Sequence, residues 1–172
     1  MSNYTRGIIS LEWWGDSHKD LDYRYLPHKD ERMVSDWNAQ GYSHMHCNGA
    51  VYGMDRGMPD WALQFRSWFP WANSGIAVYR MNTGDILPVH SDHYTSYKKI
   101  FNILSNDEIY RAVIFLENWK SGHYFEIDGV PITNWTKGEY IFWEGDTPHM
   151  AANMGIEPRY TMQITGMKNE SK

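Results

Sequence analysis

The chain has 172 residues, 42% of them hydrophobic and 16% aromatic, including nine Trp. That is one domain's length with ample apolar surface to bury, so a disordered chain is excluded. A net charge of −5 with no run of Lys or Arg weighs against sequence-independent nucleic-acid binding, which needs a basic face. One cysteine, Cys47, excludes an internal disulfide framework. With no signal-like N-terminus and no 18-residue apolar run, the expectation is a cytoplasmic protein without a membrane segment.

Residues 1–50 mix aromatic and charged side chains with little periodicity. A short strand is expected around Gly7–Trp13 and a helix over Asp30–Gln40, ended near Gly41. Asp60–Phe69 reads as a second helix: Pro59 precedes it, Trp61, Phe65, Trp68 and Phe69 recur at i, i+4, i+7 and i+8, and Pro70 stops it. The first 74 residues are therefore expected to be helical or irregular support. From Gly75 the pattern changes to short apolar runs separated by turns. Expected strands are Ile76–Met81, Ile86–Asp92, Ile109–Leu116, His123–Ile127, Glu139–Trp143, His149–Asn153 and Arg159–Thr165. Many short strands at even spacing predict a mainly β, single-domain protein whose jelly-roll core spans residues 75–167.

His-x-Asp occurs three times, at His18-Lys19-Asp20, His28-Lys29-Asp30 and His90-Ser91-Asp92. The first two lie in charged sequence without strand patterning and are expected to be exposed loops. The third ends an expected strand, where residues i and i+2 share a face, so His90 and Asp92 can present two donors to one ion. His149 follows a Pro-containing turn at the start of another strand. Two imidazoles and a carboxylate leave part of an octahedral shell open and suit non-haem Fe(II). His93 would point away from Asp92, as an outer or substrate-side group. His44, His46 and Cys47 lack the further ligands a zinc site needs, and a surface or packing role is expected.

Arg159 and Thr161 share a face of the last strand. A guanidinium there either meets solvent, forms a salt bridge with Glu157 or Asp146, or grips the carboxylate of an organic co-substrate. Arg111 interrupts the apolar run Ile109–Leu116: it either faces water from an edge strand or binds a co-substrate or an acidic substrate group. Tyr94, Tyr97, Trp119, His123 and Trp135 are candidates for the lining of an entrance.

On Trp135-x-x-Gly138-Glu139, Trp143, His149, Asn153 and Arg159, together with His90-x-Asp92, the chain resembles the 2-oxoglutarate/Fe(II) dioxygenase superfamily, most of all its aspartyl/asparaginyl β-hydroxylase-type group. The resemblance covers roughly Gly75–Met167. It implies a double-stranded β-helix, Fe(II) held by His90, Asp92 and His149, and 2-oxoglutarate held by Arg159, with Thr161 beside it. O2 would be the co-reactant, and a C–H bond of a peptide or small molecule would be hydroxylated with release of succinate and CO2. Arg111 resembles the group's other arginine, although residues 94–107 look inserted before it. Animal members of the group lack the carboxylate that Asp92 supplies. Gly145-x-x-Pro148-His149-x-x-x-Asn153 also resembles the second cupin motif, so a metal-binding cupin (isomerase or sensor) without 2-oxoglutarate chemistry is the alternative. A non-catalytic jelly-roll binding module is a third reading.

Overall fold

Period-two alternation in the second half of the chain produces strands, and the N-terminal segment adds to the sheet they make. A computed structural model describes residues 3–10, 14–28, 30–43 and 49–168. In chain order the elements are β1 (Tyr4–Ile8), β2 (Arg24–Tyr25), α1 (Glu31–Ala39), β3 (Ala50–Gly53), α2 (Asp60–Leu63), β4 (Ala72–Met81), β5 (Ile86–His90) and α3 (Thr95–Phe101). Then follow β6 (Ile109–Phe115), β7 (His123–Ile127), β8 (Val130–Ile132), β9 (Glu139–Glu144), β10 (His149–Asn153) and β11 (Arg159–Met167).

The larger sheet runs β1-β9-β6-β11-β4-β3-β2 and the smaller runs β5-β10-β7-β8. From β4 onward the chain alternates between the two sheets, apart from the β7–β8 hairpin. This winding is a double-stranded β-helix. Because β6 is central it is buried on both faces, which is why Ile109–Phe115 reads as a continuous apolar run. One face of the larger sheet, with Ile76, Val78, Ala112, Ile114, Met162 and Ile164, packs on Trp14, Phe65 and Phe69 from the N-terminal segment. The other face supplies Met81, Val113, Phe115, Ile141 and Trp143 to an interior closed by Phe125, Ile127 and Ala151 of the smaller sheet. The site lies in that second interior. Among the described residues no helix is long and apolar enough to cross a membrane.

Several sequence expectations change. The first strand ends at Ile8, and residues 11–13 of the expected Gly7–Trp13 strand lie outside the described residues, as do His44, His46 and Cys47. The Asp60–Phe69 helix is α-helical only to Leu63 and continues as a 3-10 turn over Gln64–Ser67. The strand expected from Ile76 begins at Ala72, so a boundary at residue 74 would cut it. β1, β2 and β3 extend the larger sheet at both edges, making residues 1–74 more than a helical support. The stretch before Arg111 contains α3, which was not anticipated.

Candidate functional site

Strand pairing brings the two distant histidines together. His149, the first residue of β10, is paired with His90, the last of β5, and their ring centroids are 4.4 Å apart. Asp92 continues from β5, and one ligand atom from each of His90, Asp92 and His149 lies within 4.8 Å of the others. His90 Nδ1 is 2.7 Å from the Pro88 carbonyl oxygen, and His149 Nδ1 is 3.0 Å from that of Thr147. A carbonyl only accepts, so both rings carry their proton on Nδ1 and keep a lone pair on Nε2. His149 Nε2 is 3.6 Å from Asp92 Oδ2. Burial, reinforced by the neighbouring His90, pushes the His149 pKa down to about 3, and burial lowers that of His90 too. Both imidazoles are neutral near neutral pH, as metal ligands must be. Burial alone would raise the Asp92 pKa, but Arg111 first and then the two histidines more than offset it, holding the carboxylate ionised.

Trp37 of α1 meets the His90 ring edge-on at 5.3 Å, and Trp143 lies 4.8 Å from the His149 ring, so both imidazole planes are braced by indoles. The Asp92 Oδ2 atom is buried and accepts no aligned hydrogen bond, although Arg111 Nη1 is 2.9 Å away. A buried carboxylate oxygen without a directed partner is costly unless something else takes its charge. Two neutral imidazoles and one hard oxygen, without thiolate, fit Fe(II).

An inner cavity with about 440 Å³ of empty space, counted to its mouth, is lined by His90, His149, Tyr79, Met81, Arg159 and Thr161 among others. Arg159 is 3% exposed. Its guanidinium lies 5.5 Å from the Trp135 ring centroid, 5.8 Å from Phe115 and 5.9 Å from Phe125. Nη1 contacts the Met81 sulfur at 3.3 Å, Nε has no hydrogen-bond partner, and burial pushes the pKa down to about 9. The salt bridge weighed for Arg159 is absent among the described residues. Glu157 is bound by Lys120 and Asp146 by Asn106. Neither does Arg159 face solvent. Among the described residues this cation is buried among aromatic rings without an anion, an arrangement that is costly for a guanidinium.

Arg111 is not on an edge strand facing water: β6 lies between β9 and β11. Besides Asp92, its Nη1 donates to Gln163 Oε1 at 3.1 Å, and its guanidinium lies 4.9 Å from the Tyr94 ring centroid. It lines an outer cavity with His28, Met33, Trp37, Asp92 and Gln163. His90, Tyr79, Leu87, Gly49 and Gln163 line both cavities, so the candidate triad of His90, Asp92 and His149 sits where the two meet. His93 does turn from Asp92, and its Nδ1 pairs with Asp30 at 2.9 Å.

The other His-x-Asp motifs depart from exposed loops. His18 is fully buried, and its donor atoms cluster with Asp16 and Glu117. The Lys19 ammonium lies 3.1 Å from Asp16 Oδ1 and 3.0 Å from Glu117 Oε1, so that pair of carboxylates already holds a cation. Asp30 caps α1, accepting from Met33 N. Of the residues expected at an entrance, Trp135 stacks on Phe115 at 4.0 Å in the core, and His123 is buried against the Glu157 carbonyl. Trp119 donates to the His123 carbonyl and packs on the same core. Tyr94 and Tyr97 do line an outer recess next to Asp92 and Arg111. Sequence reasoning missed Tyr79, Met81 and Gln163. Two-residue spacing puts Gln163 on the face of Arg159 and Thr161, and a count along the strand would have found it.

No family model matches the sequence, and a search of curated proteins finds no match. Among solved structures, a prolyl-4-hydroxylase of Pseudomonas putida superposes with a TM-score of 0.60 over 98% of this chain and 94% of that one, at 13% identity. Two others are more distant. A cupin protein of Bacteroides fragilis has TM-score 0.41 and 14% identity, over 62% of this chain and 76% of that one. A protein with a double-stranded β-helix domain from Klebsiella pneumoniae has TM-score 0.39 and 13% identity, over 57% and 70%. The chain is thus a double-stranded β-helix protein, sharing its fold over nearly its whole length with the Pseudomonas enzyme.

Proposed function

We propose that the protein is an Fe(II)- and 2-oxoglutarate-dependent oxygenase that hydroxylates an unactivated C–H bond of a small-molecule or peptide substrate. The observation that carries this reading is Arg159, a buried guanidinium without a counter-ion among the described residues, in the cavity that His90 and His149 also line. A guanidinium fork at that position suits the carboxylate of an organic co-substrate. In this reading His90, Asp92 and His149 hold the iron, and Arg159 grips the distal carboxylate of 2-oxoglutarate through its planar fork, with the Thr161 hydroxyl beside it.

Bound iron, 2-oxoglutarate and O2 together supply the oxidising power, with succinate and CO2 released as the substrate gains its hydroxyl. The chain's part is geometric. Phe115, Phe125 and Trp135 keep water from Arg159, so its pairing with a carboxylate is strong. The Nδ1 bonds of both histidines orient Nε2. The outer cavity bounded by Trp37, Met33 and Gln163 is the natural approach for substrate. Fe(II) and 2-oxoglutarate added without oxygen should produce a weak visible charge-transfer band, and admitting air should generate succinate. Absence of both refutes the reading.

A further inference from the structure

Arg111 and Arg159 stand at opposite ends of the interior. Arg159 begins β11, while Arg111 is paired with Thr165, six residues further along that strand, a span of about 20 Å. Arg111 is thus anchored at the other end of that strand pair from Arg159. Its ionic partner is Asp92, and the atom it approaches is Oδ2, the oxygen that also faces His149 Nε2. A side-chain cation thus lies against the carboxylate oxygen that a metal ion at the triad would claim. Both side chains are 16% exposed, so little water is there to screen a divalent ion from a guanidinium so close.

We infer that Arg111 is a stand-in cation: it balances Asp92 in the metal-free protein and gives up that oxygen when metal arrives. The inference rests on the metal reading of the triad. The resting place for the displaced group is already built. Gln163 Oε1 accepts from Arg111 Nη1 at 3.1 Å, and the Tyr94 ring offers its face at 4.9 Å, so the guanidinium can leave Asp92 without losing every partner. Metal affinity is then set by an exchange of one cation for another, and the empty site keeps a balanced charge instead of a bare buried carboxylate. Arg111 is a positioning residue in this scheme, acting on the metal through Asp92.

The test is Co(II) binding to the purified, metal-stripped protein, followed by its d–d absorption and by competition with a chromogenic chelator, alongside thermal melts without metal. Arg111→Met should bind Co(II) on the order of tenfold more tightly than wild type, because no ion pair has to be broken first. Its metal-free melting temperature should fall, and Co(II) should restore more of it than in wild type. Arg111→Lys, which keeps a cation with a different reach, should lie between the two in affinity. A variant that folds only with Co(II) present is the extreme of the same expectation. If wild type binds Co(II) but Arg111→Met binds equally or more weakly, or fails to fold with or without metal, the inference is overturned while the metal reading stands. Wild type that takes up no Co(II) at the triad overturns both.

Discussion

Arg159 is surrounded by Phe115, Phe125 and Trp135, with a thioether as its nearest polar contact. A guanidinium so placed has lost its hydration without gaining a counter-ion, which opposes folding. Arg159→Met should therefore raise the melting temperature of the protein without co-substrate, while the 2-oxoglutarate concentration needed for half-maximal succinate formation rises about 100-fold, the loss of a charge-assisted pair. Metal uptake should not change. If co-substrate affinity is untouched, Arg159 has another role. His90 and Arg159 were legible because strand spacing fixes a face; β5 ends at His90, short of the expected Asp92, so Asp92 reaches the site from the loop that follows, where His93 turns instead to Asp30. The partner of Arg111 was not legible, because Asp92 lies in the loop after β5 and Arg111 on β6, and only folding brings them together.

The turn between β10 and β11 delivers Arg159, and one amide organises it. Asn153 is fully buried: its Nδ2 donates to the carbonyls of Met81 and Glu157, each at 2.9 Å, and its Oδ1 accepts from Gly155 N. Asn153→Ala would remove the side-chain partner of the Met81 carbonyl and of the Gly155 amide and leave the Glu157 carbonyl to His123 alone. It should cost about 1–3 kcal/mol or more in chemical denaturation and weaken 2-oxoglutarate binding through Arg159. Stability equal to wild type would show that water or a shifted turn replaces the amide. The long strands were readable because alternation and turn residues agree. Helix α3 was not: its N-cap, Tyr94, is left-handed with φ 52° and provides no side-chain cap, and seven residues contain little periodicity. For α2 the aromatic spacing was real but served another purpose. It buries Ala62 and Phe65 against the sheet from a short helix and a 3-10 turn, with Phe69 just beyond them.

Across the whole molecule, the buried neutral histidines and the Glu117 cluster set the response to acid. His149 titrates at 6.5 in an unfolded chain but at about 3 in the fold, so below 6.5 the unfolded state binds the extra proton and stability falls as pH drops. Burial alone would raise the Glu117 pKa, but His18, Lys19 and Lys120 beside it more than offset that and hold it at about 2, against 4.5 ordinarily. Its contribution is present above 4.5 and disappears as pH falls through about 2. Thermal melts of the metal-free protein should decline from pH 6.5 downward, and His149→Asn should flatten the upper part of that decline. A level profile through pH 4.5 contradicts the buried neutral state of His149.

By itself the sequence determined the β architecture of residues 75–167 and the faces of the strand residues His90, His149 and Arg159, because alternation of side chains along a strand is a local property of an extended backbone. Tertiary structure alone decided that Trp37, His28 and Met33, from the segment taken as support, line the outer cavity. It also decided that Arg159 has no anion among the described residues and that Arg111 sits on Asp92. Those are facts about charge and distance between residues remote in sequence. The energy of a buried ion depends on what surrounds it in space, which no local pattern encodes.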